Sequence, residues 1–164
     1  GHPEGSIFWG DAGPLRNGKG SCYEAGSRAP CIIRWPGQVP AGRVSNAICA
    51  TIDFMPTFAN LTGFRIPTDR TIDGIDQTEL LFGKNEEGAR DTYYYQGNGV
   101  RYGKWKYLAA KHQVRGYARD HDRTETEELY DLSRDIGETT NLAELHPDKV
   151  NELRTLMKTI TDGK

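Results

Sequence analysis

The chain has 164 residues, about one domain's worth. With 36% hydrophobic and 27% charged residues it is not a disordered tail, and no apolar run approaches the ~18 residues of a membrane-spanning helix. Its 21 basic and 23 acidic residues leave a net charge of −2, which argues against non-specific nucleic-acid or membrane binding, since either would call for a basic patch.

Glycine and proline, 19 and 8 residues, concentrate before residue 45, so residues 1–30 read as a long functional loop. The opening Gly1-His2-Pro3-Glu4 carries no Met, basic stretch or apolar core, so the chain shows no signal peptide and is expected to follow on a segment that precedes it. Ala29–Trp35, closed by Pro36-Gly37, predicts a buried strand. Asp53 predicts an N-cap, with Pro56 in the first turn and Gly63 past the end. Between them Phe54, Phe58 and Leu61 fall on one helical face. Residues 69–76 read as turn and 79–82 as a short helical turn.

The texture changes near residue 88. Thr92–Gln96 predicts a Tyr-rich strand, and Asn98-Gly99 a turn. Residues 103–108 alternate Trp105 and Tyr107 with basic residues, the pattern of a half-exposed strand. Residues 111–127 read as a surface loop and 128–132 as a further strand. A last helix starts at Pro147, and Val150, Leu153, Met157 and Ile160 line one face of it. The fold class is α/β, with an α+β C-terminal part: residues 1–88 form one segment, and 89–164 a small antiparallel sheet with a C-terminal helix.

Chemistry is sparse. Cys22, Cys31 and Cys49 have no C-x-x-C spacing, which leaves either three buried or partly buried thiols or one disulfide and one free thiol. His2, His112, His121 and His146 share no metal-ligand spacing, so no metal site is expected in this chain. His121, between Asp120 and Asp122, reads as part of a solvated loop, and His146 as a capping or surface residue. The stretch Gly13–Gly20 has the glycine spacing of a phosphate loop, but Gly20 stands where Ser or Thr is needed and Pro30 soon ends any helix. What remains is Lys19 between Gly18 and Gly20, small neighbours that allow a ligand close to the backbone. An ammonium there can meet an oxyanion as a point charge, and Glu24 and Arg28 can brace the loop as an ion pair.

Gly13-Pro14-Leu15-Arg16-Asn17-Gly18-Lys19, followed by Tyr23-Glu24-Ala25-Gly26-Ser27-Arg28-Ala29-Pro30, resembles the sulfatase signature G-P-L-R-x-x-K-x-x-x-x-E-G-G-x-R-x-P. The resemblance continues through Arg34-Trp35-Pro36-Gly37, Asp53-Phe54-Met55-Pro56-Thr57, Asp73-Gly74-Ile75-Asp76 and Gly103-Lys104-Trp105-Lys106. It ends with Leu129-Tyr130-Asp131-Leu132 and Asp135-Ile136-Gly137-Glu138-Thr139-Thr140-Asn141-Leu142. Ala25 departs from the first glycine of the Glu-Gly-Gly run, and Ile136 from a common proline. The resemblance is to the C-terminal third of sulfatases, which are similar to alkaline phosphatases in fold. It implies that residues 1–88 close a large α/β catalytic domain and 89–164 form a smaller one with a four-stranded antiparallel sheet.

It also implies formylglycine- and calcium-dependent hydrolysis of an aryl or carbohydrate sulfate ester by the full-length protein. Lys19 matches the family's sulfate-contacting lysine, with His2 a second candidate and Glu24 and Arg28 in support. The formylglycine nucleophile arises from cysteine in a C-x-P-x-R or C-x-A-x-R context, which none of the three cysteines has. No catalytic residue is therefore expected here, and the calcium ligands are expected upstream of Gly1. The implied partners are a sulfated small molecule or glycan and the N-terminal part of the same protein, in a periplasmic, secreted or lysosomal location. The alternatives are a non-catalytic remnant that binds sulfated glycan, and a phosphonate or phosphate monoester hydrolase of the same superfamily.

Overall fold

A computed structural model describes residues 11–95, 98–112, 114 and 124–163. The chain forms two compact units, one of Cys31–Tyr93 and the other of Gly1–Pro30 together with Tyr94–Lys164. The glycine-rich loop thus packs with the C-terminal sheet, whereas a division at residue 88 would have kept it with the segment that follows it.

The second of these units is built on four short antiparallel strands in sequence order: β1 (Thr92–Tyr95), β2 (Gly99–Tyr102), β3 (Trp105–Leu108) and β4 (Glu128–Asp131). Across the inner strands Val100 faces Tyr107, which faces Leu129; one residue along, Arg101 faces Lys106, which faces Tyr130. Side chains alternate between faces along a strand, so these rows lie on opposite sides of the sheet. Both sides are buried, in different ways.

The apolar row is covered by α4 (Pro147–Asp162). Proline is tolerated at its first turn, and Asp148 meets the positive end of the dipole. Val150 and Leu153 close over Val100, Tyr107 and Leu129, with Leu156, Met157 and Ile160 at the rim. Fully burying one such aliphatic side chain stabilises by ~1.5–3 kcal/mol. His146 stays exposed, its ring edge-on to Trp105 at 5.4 Å between centroids.

The row bearing Lys106 and Tyr130 is covered by the loop that runs through Cys22 and Tyr23 into the short α1 (Glu24–Ser27). The strand within residues 103–108, Trp105–Leu108, is therefore not half-exposed: Lys106 is 0% exposed, and only Gly103 and Lys104 before it face solvent. A strand's alternation marks which residues share a face, and the loop that buries this face comes from far away in sequence.

In the unit Cys31–Tyr93 the helix expected after Asp53 is α2 (Phe54–Thr62), ended by Gly63 at φ 71°, where a Cβ would strain the backbone. A single 3₁₀ turn, Thr51–Asp53, leads into it, and α3 (Thr78–Leu81) follows. The face of α2 that is buried carries Pro56, Thr57 and Ala59, not the predicted Phe54, Phe58 and Leu61; Phe58 is 55% exposed. Asp53 organises this unit. Its carboxylate accepts from the Ala50 amide (2.8 Å), the Ile75 amide (2.9 Å) and Arg90 Nε (2.8 Å), which fastens the turn before the helix to distant segments.

Ala29–Trp35 is not a buried strand. Cys31–Trp35 is exposed and lies outside the regular elements, with Ile32 93% exposed. A strand needs a neighbouring strand, and none of β1–β4 pairs with this segment, whose Trp35 carbonyl instead accepts the Gln38 and Val39 amides of a turn. Cys22 is buried, but Cys31 and Cys49 are exposed and no disulfide joins the three. The expectation of three buried or partly buried thiols therefore holds only for Cys22.

Candidate functional site

Residues 16–25 form a loop whose ends meet. The Ala25 amide donates to the Arg16 carbonyl at 3.3 Å, and Ser21 closes an inner turn through its amide and hydroxyl, both donating to the Gly18 carbonyl (3.1 and 2.9 Å). Lys19 and Gly20 stand at the exposed tip. Gly26 makes the close fold possible, because a Cβ there would sit 2.1 Å from the Ser21 carbonyl oxygen.

The loop is held against the sheet by two buried carboxylate centres. In the first, Glu128 on β4 accepts from the hydroxyls of Tyr23 (2.9 Å) and Tyr130 (2.8 Å), with His112 Nε2 at 3.4 Å. Burial alone would raise the pKa of Glu128, but these neighbours hold it below the usual value. Arg16 lies over the Tyr23 ring at 3.8 Å and donates to the Tyr130 hydroxyl (2.9 Å) and the Glu138 carbonyl (2.8 Å).

The second centre surrounds Glu24. Its carboxylate accepts from Lys106 Nζ (3.0 Å), the Tyr95 hydroxyl (2.6 Å) and Arg28 Nε (2.6 Å), with Arg101 at 3.9 Å. The ion pair of Glu24 and Arg28 read from the sequence thus forms, but it is the outer part of a larger cluster. Glu138 completes it: one carboxylate oxygen lies 2.7 Å from Lys106 Nζ and the other accepts the Glu24 amide at 2.7 Å. Burial pushes both carboxyls up. At Glu24 the Lys106 ammonium and the donors around it overcome this and bring the pKa down to about 2, whereas Glu138 stays raised.

At the tip, the Lys19 ammonium forms no ion pair among the described residues, and the surrounding chain offers a positive charge on a fixed turn. His2 lies outside the described residues, as does the Asp120-His121-Asp122 cluster. Sequence reasoning missed Lys106, Glu128 and Glu138. The only signal was their charge inside otherwise apolar, strand-like or motif-bearing stretches. Among the described residues no group of three or more His, Cys, Asp and Glu could hold a metal ion, and no helix is long and apolar enough to cross a membrane.

Residues 17–162 match the family described as N-sulphoglucosamine sulphohydrolase, C-terminal. The chain belongs to this sulfatase family. Arylsulfatase A of Homo sapiens is similar, 34% identical over 81% of this chain and 29% of its own length. N-acetylgalactosamine-6-O-sulfatase of Bacteroides thetaiotaomicron is 32% identical over 90% of the chain and 30% of its own length. A solved structure from work on the metabolism of multiple glycosaminoglycans by Bacteroides thetaiotaomicron superposes with a TM-score of 0.76, at 30% identity, over 90% of the chain and 32% of that structure. The chain thus spans about a third or less of the sulfatases it matches. The four-stranded antiparallel sheet with its helices is their fold in this region, as the sulfatase resemblance implied.

Proposed function

We propose that this chain is the C-terminal part of a sulfatase that hydrolyses aryl or carbohydrate sulfate esters, and that Lys19 holds a sulfate oxygen in it. The observation that carries the reading is the family match over residues 17–162, with Lys19 standing in the matched region at the tip of a loop clamped at both ends. A sulfate group is already anionic, and charge grows on its oxygens and on the leaving oxygen as the ester bond breaks. An ammonium fixed beforehand stabilises that charge without reorganising at the moment of reaction. Gly18 and Gly20 leave room beside the lysine for the substrate to approach.

In this reading the formylglycine nucleophile belongs to the N-terminal part of the protein, because none of Cys22, Cys31 and Cys49 stands in a maturation motif, and the sulfatase resemblance places the calcium ligands there with it. The names of the relatives, an arylsulfatase and a hexosamine sulfatase, support a sulfated small molecule or glycan as substrate. A periplasmic, secreted or lysosomal location goes with that substrate class.

The test is steady-state kinetics of the full-length protein on a chromogenic aryl sulfate, a sulfated hexosamine and the matching phosphate ester. Lys19→Ala should lower kcat/KM about 10²-fold, or ~3 kcal/mol, as loss of one oxyanion donor does. Lys19→Arg should recover only part, because a planar fork differs in reach from a compact ammonium. A change within about twofold (under ~0.5 kcal/mol) would make Lys19 an ordinary turn residue. Turnover of the phosphate ester alone would favour a phosphohydrolase, and binding without turnover a glycan-binding remnant.

A further inference from the structure

Lys106 is the one fully buried lysine among the described residues, and both its partners are acidic groups that touch the loop carrying Lys19. Glu138 grips both feet of that loop. Its carbonyl accepts from Arg16, where the loop begins, and its carboxylate accepts from the amide of Glu24, where the loop ends. To do so it adopts φ 53°, a left-handed backbone that non-glycine residues rarely take and that persists only where the surroundings enforce it. Lys106 joins Glu138 to the Glu24 side chain, and its ammonium also lies 4.1 Å above the Tyr95 ring.

A buried trio of charges is a poor source of stability, since apolar residues of similar volume often serve a core as well or better. What such a trio supplies is direction: the Lys106 ammonium and the Glu24 amide reach their carboxylate acceptors in one arrangement of the loop. We propose that Lys106 is a positioning residue for the sulfatase reaction, fixing through Glu138 and Glu24 the loop that presents Lys19 to the sulfate group. The inference rests on the reading of Lys19 as the sulfate contact, and adds a residue that never meets the substrate.

The experiment is a double-mutant cycle in the full-length enzyme. Lys19→Ala, Lys106→Met and the double variant are assayed on an aryl sulfate, with amide hydrogen exchange of each. If Lys106 acts through Lys19, Lys106→Met should lower kcat/KM by tenfold or more, and the double variant should be no worse than Lys19→Ala within about twofold. Exchange should accelerate in residues 17–26 and stay unchanged in β2–β4 and α4. Glu138→Gln, which keeps the side chain's size and removes its charge, should repeat the pattern if Lys106→Met is too unstable to assay. Losses that multiply in the double variant, or exchange that rises in the sheet as much as in the loop, would overturn the inference and make Lys106 a core residue. If Lys19→Ala alone leaves kcat/KM unchanged, the sulfate reading falls and takes this inference with it. If Lys19→Ala is costly and the losses multiply, only this inference falls.

Discussion

The clamped loop depends on single atoms. At Gly26 a methyl group would meet the Ser21 carbonyl at 2.1 Å and its hydroxyl at 2.7 Å, and both belong to the turn that supports Lys19. Gly26→Ala should push that turn away from α1 and destabilise by ~1–3 kcal/mol, the usual cost of overpacking, seen as a lowered Tm. Its neighbour Ala25 is free of positive φ, so alanine in place of the first glycine of the signature it resembles costs no backbone strain. Glu24 makes the same loop sensitive to acid. Its carboxyl titrates at about 2 in the fold against 4.5 ordinarily, so between those values the unfolded chain binds more protons. The Glu24 contribution is fully present above the upper value and is lost as pH falls toward the lower. Glu138, shifted upward, works in the opposite sense: what it contributes is present at low pH and fades as pH rises through its raised value. Glu24→Gln should therefore flatten the acid limb of stability, measured as urea midpoints from about pH 5 down to about pH 2.5.

Elements differ in how much of them could be read in advance. The helix α4 was legible because its start, its apolar stripe and its buried face are all local properties of one stretch. The strands β3 and β4 were legible as strands, but the surroundings of their polar face were not. Lys106 looks in sequence like any basic residue on a solvated edge, and only the loop that folds back over it supplies its acidic partners. The Gly13–Pro30 segment was singled out by its glycines and by Lys19, while the carboxylates that hold it lie as far away as Glu138. Ala29–Trp35 failed for the complementary reason: an apolar run names a wish to be covered, and of this one only Trp35 meets another ring, that of Phe82, while Ile32 stays 93% exposed. Asp53 was read as a helix cap and stands at the N-cap position of α2, yet its side chain bonds no amide of that helix; it accepts the Ala50 amide at the start of the 3₁₀ turn and forms the hub with Arg90. Arg90 is 11% exposed and Asp53 not at all, so Asp53→Ala leaves a guanidinium with no counter-charge and two amides with no acceptor. The expected cost is ~3–5 kcal/mol by denaturant unfolding, the range for breaking a buried pair on one side.

For the whole chain, the surface of the unit Cys31–Tyr93 is the telling feature. Ile32, Val44, Phe58 and Phe64 are mostly exposed, Ile33 is 40% exposed and Phe54 only half-buried. Apolar surface on this scale usually marks a partner. In the reading proposed here that partner is the N-terminal part of the same protein. The 164-residue chain alone should accordingly self-associate, which sedimentation velocity will show as species heavier than the 18.3 kDa monomer. A monomer with one sharp thermal transition would contradict it. The isolated chain should also give no hydrolysis of a chromogenic aryl sulfate, with or without calcium, because it contains no cysteine in a maturation motif.

The double grip of Glu138 on the loop sets an order of events during synthesis. Glu24 is translated 82 positions before Lys106 and 114 before Glu138. At ~5–20 residues per second the loop waits on the order of ten seconds for the side chains that complete it. The sheet needs no such wait once its strands are made, since each strand pairs with its neighbour in sequence. Within this chain the loop is thus made before the sheet and reaches its final conformation after it. Pulse-labelled refolding should find the amides of β2–β4 protected before those of residues 17–26, so the surface offered to sulfate would mature only after the scaffold beneath it has set.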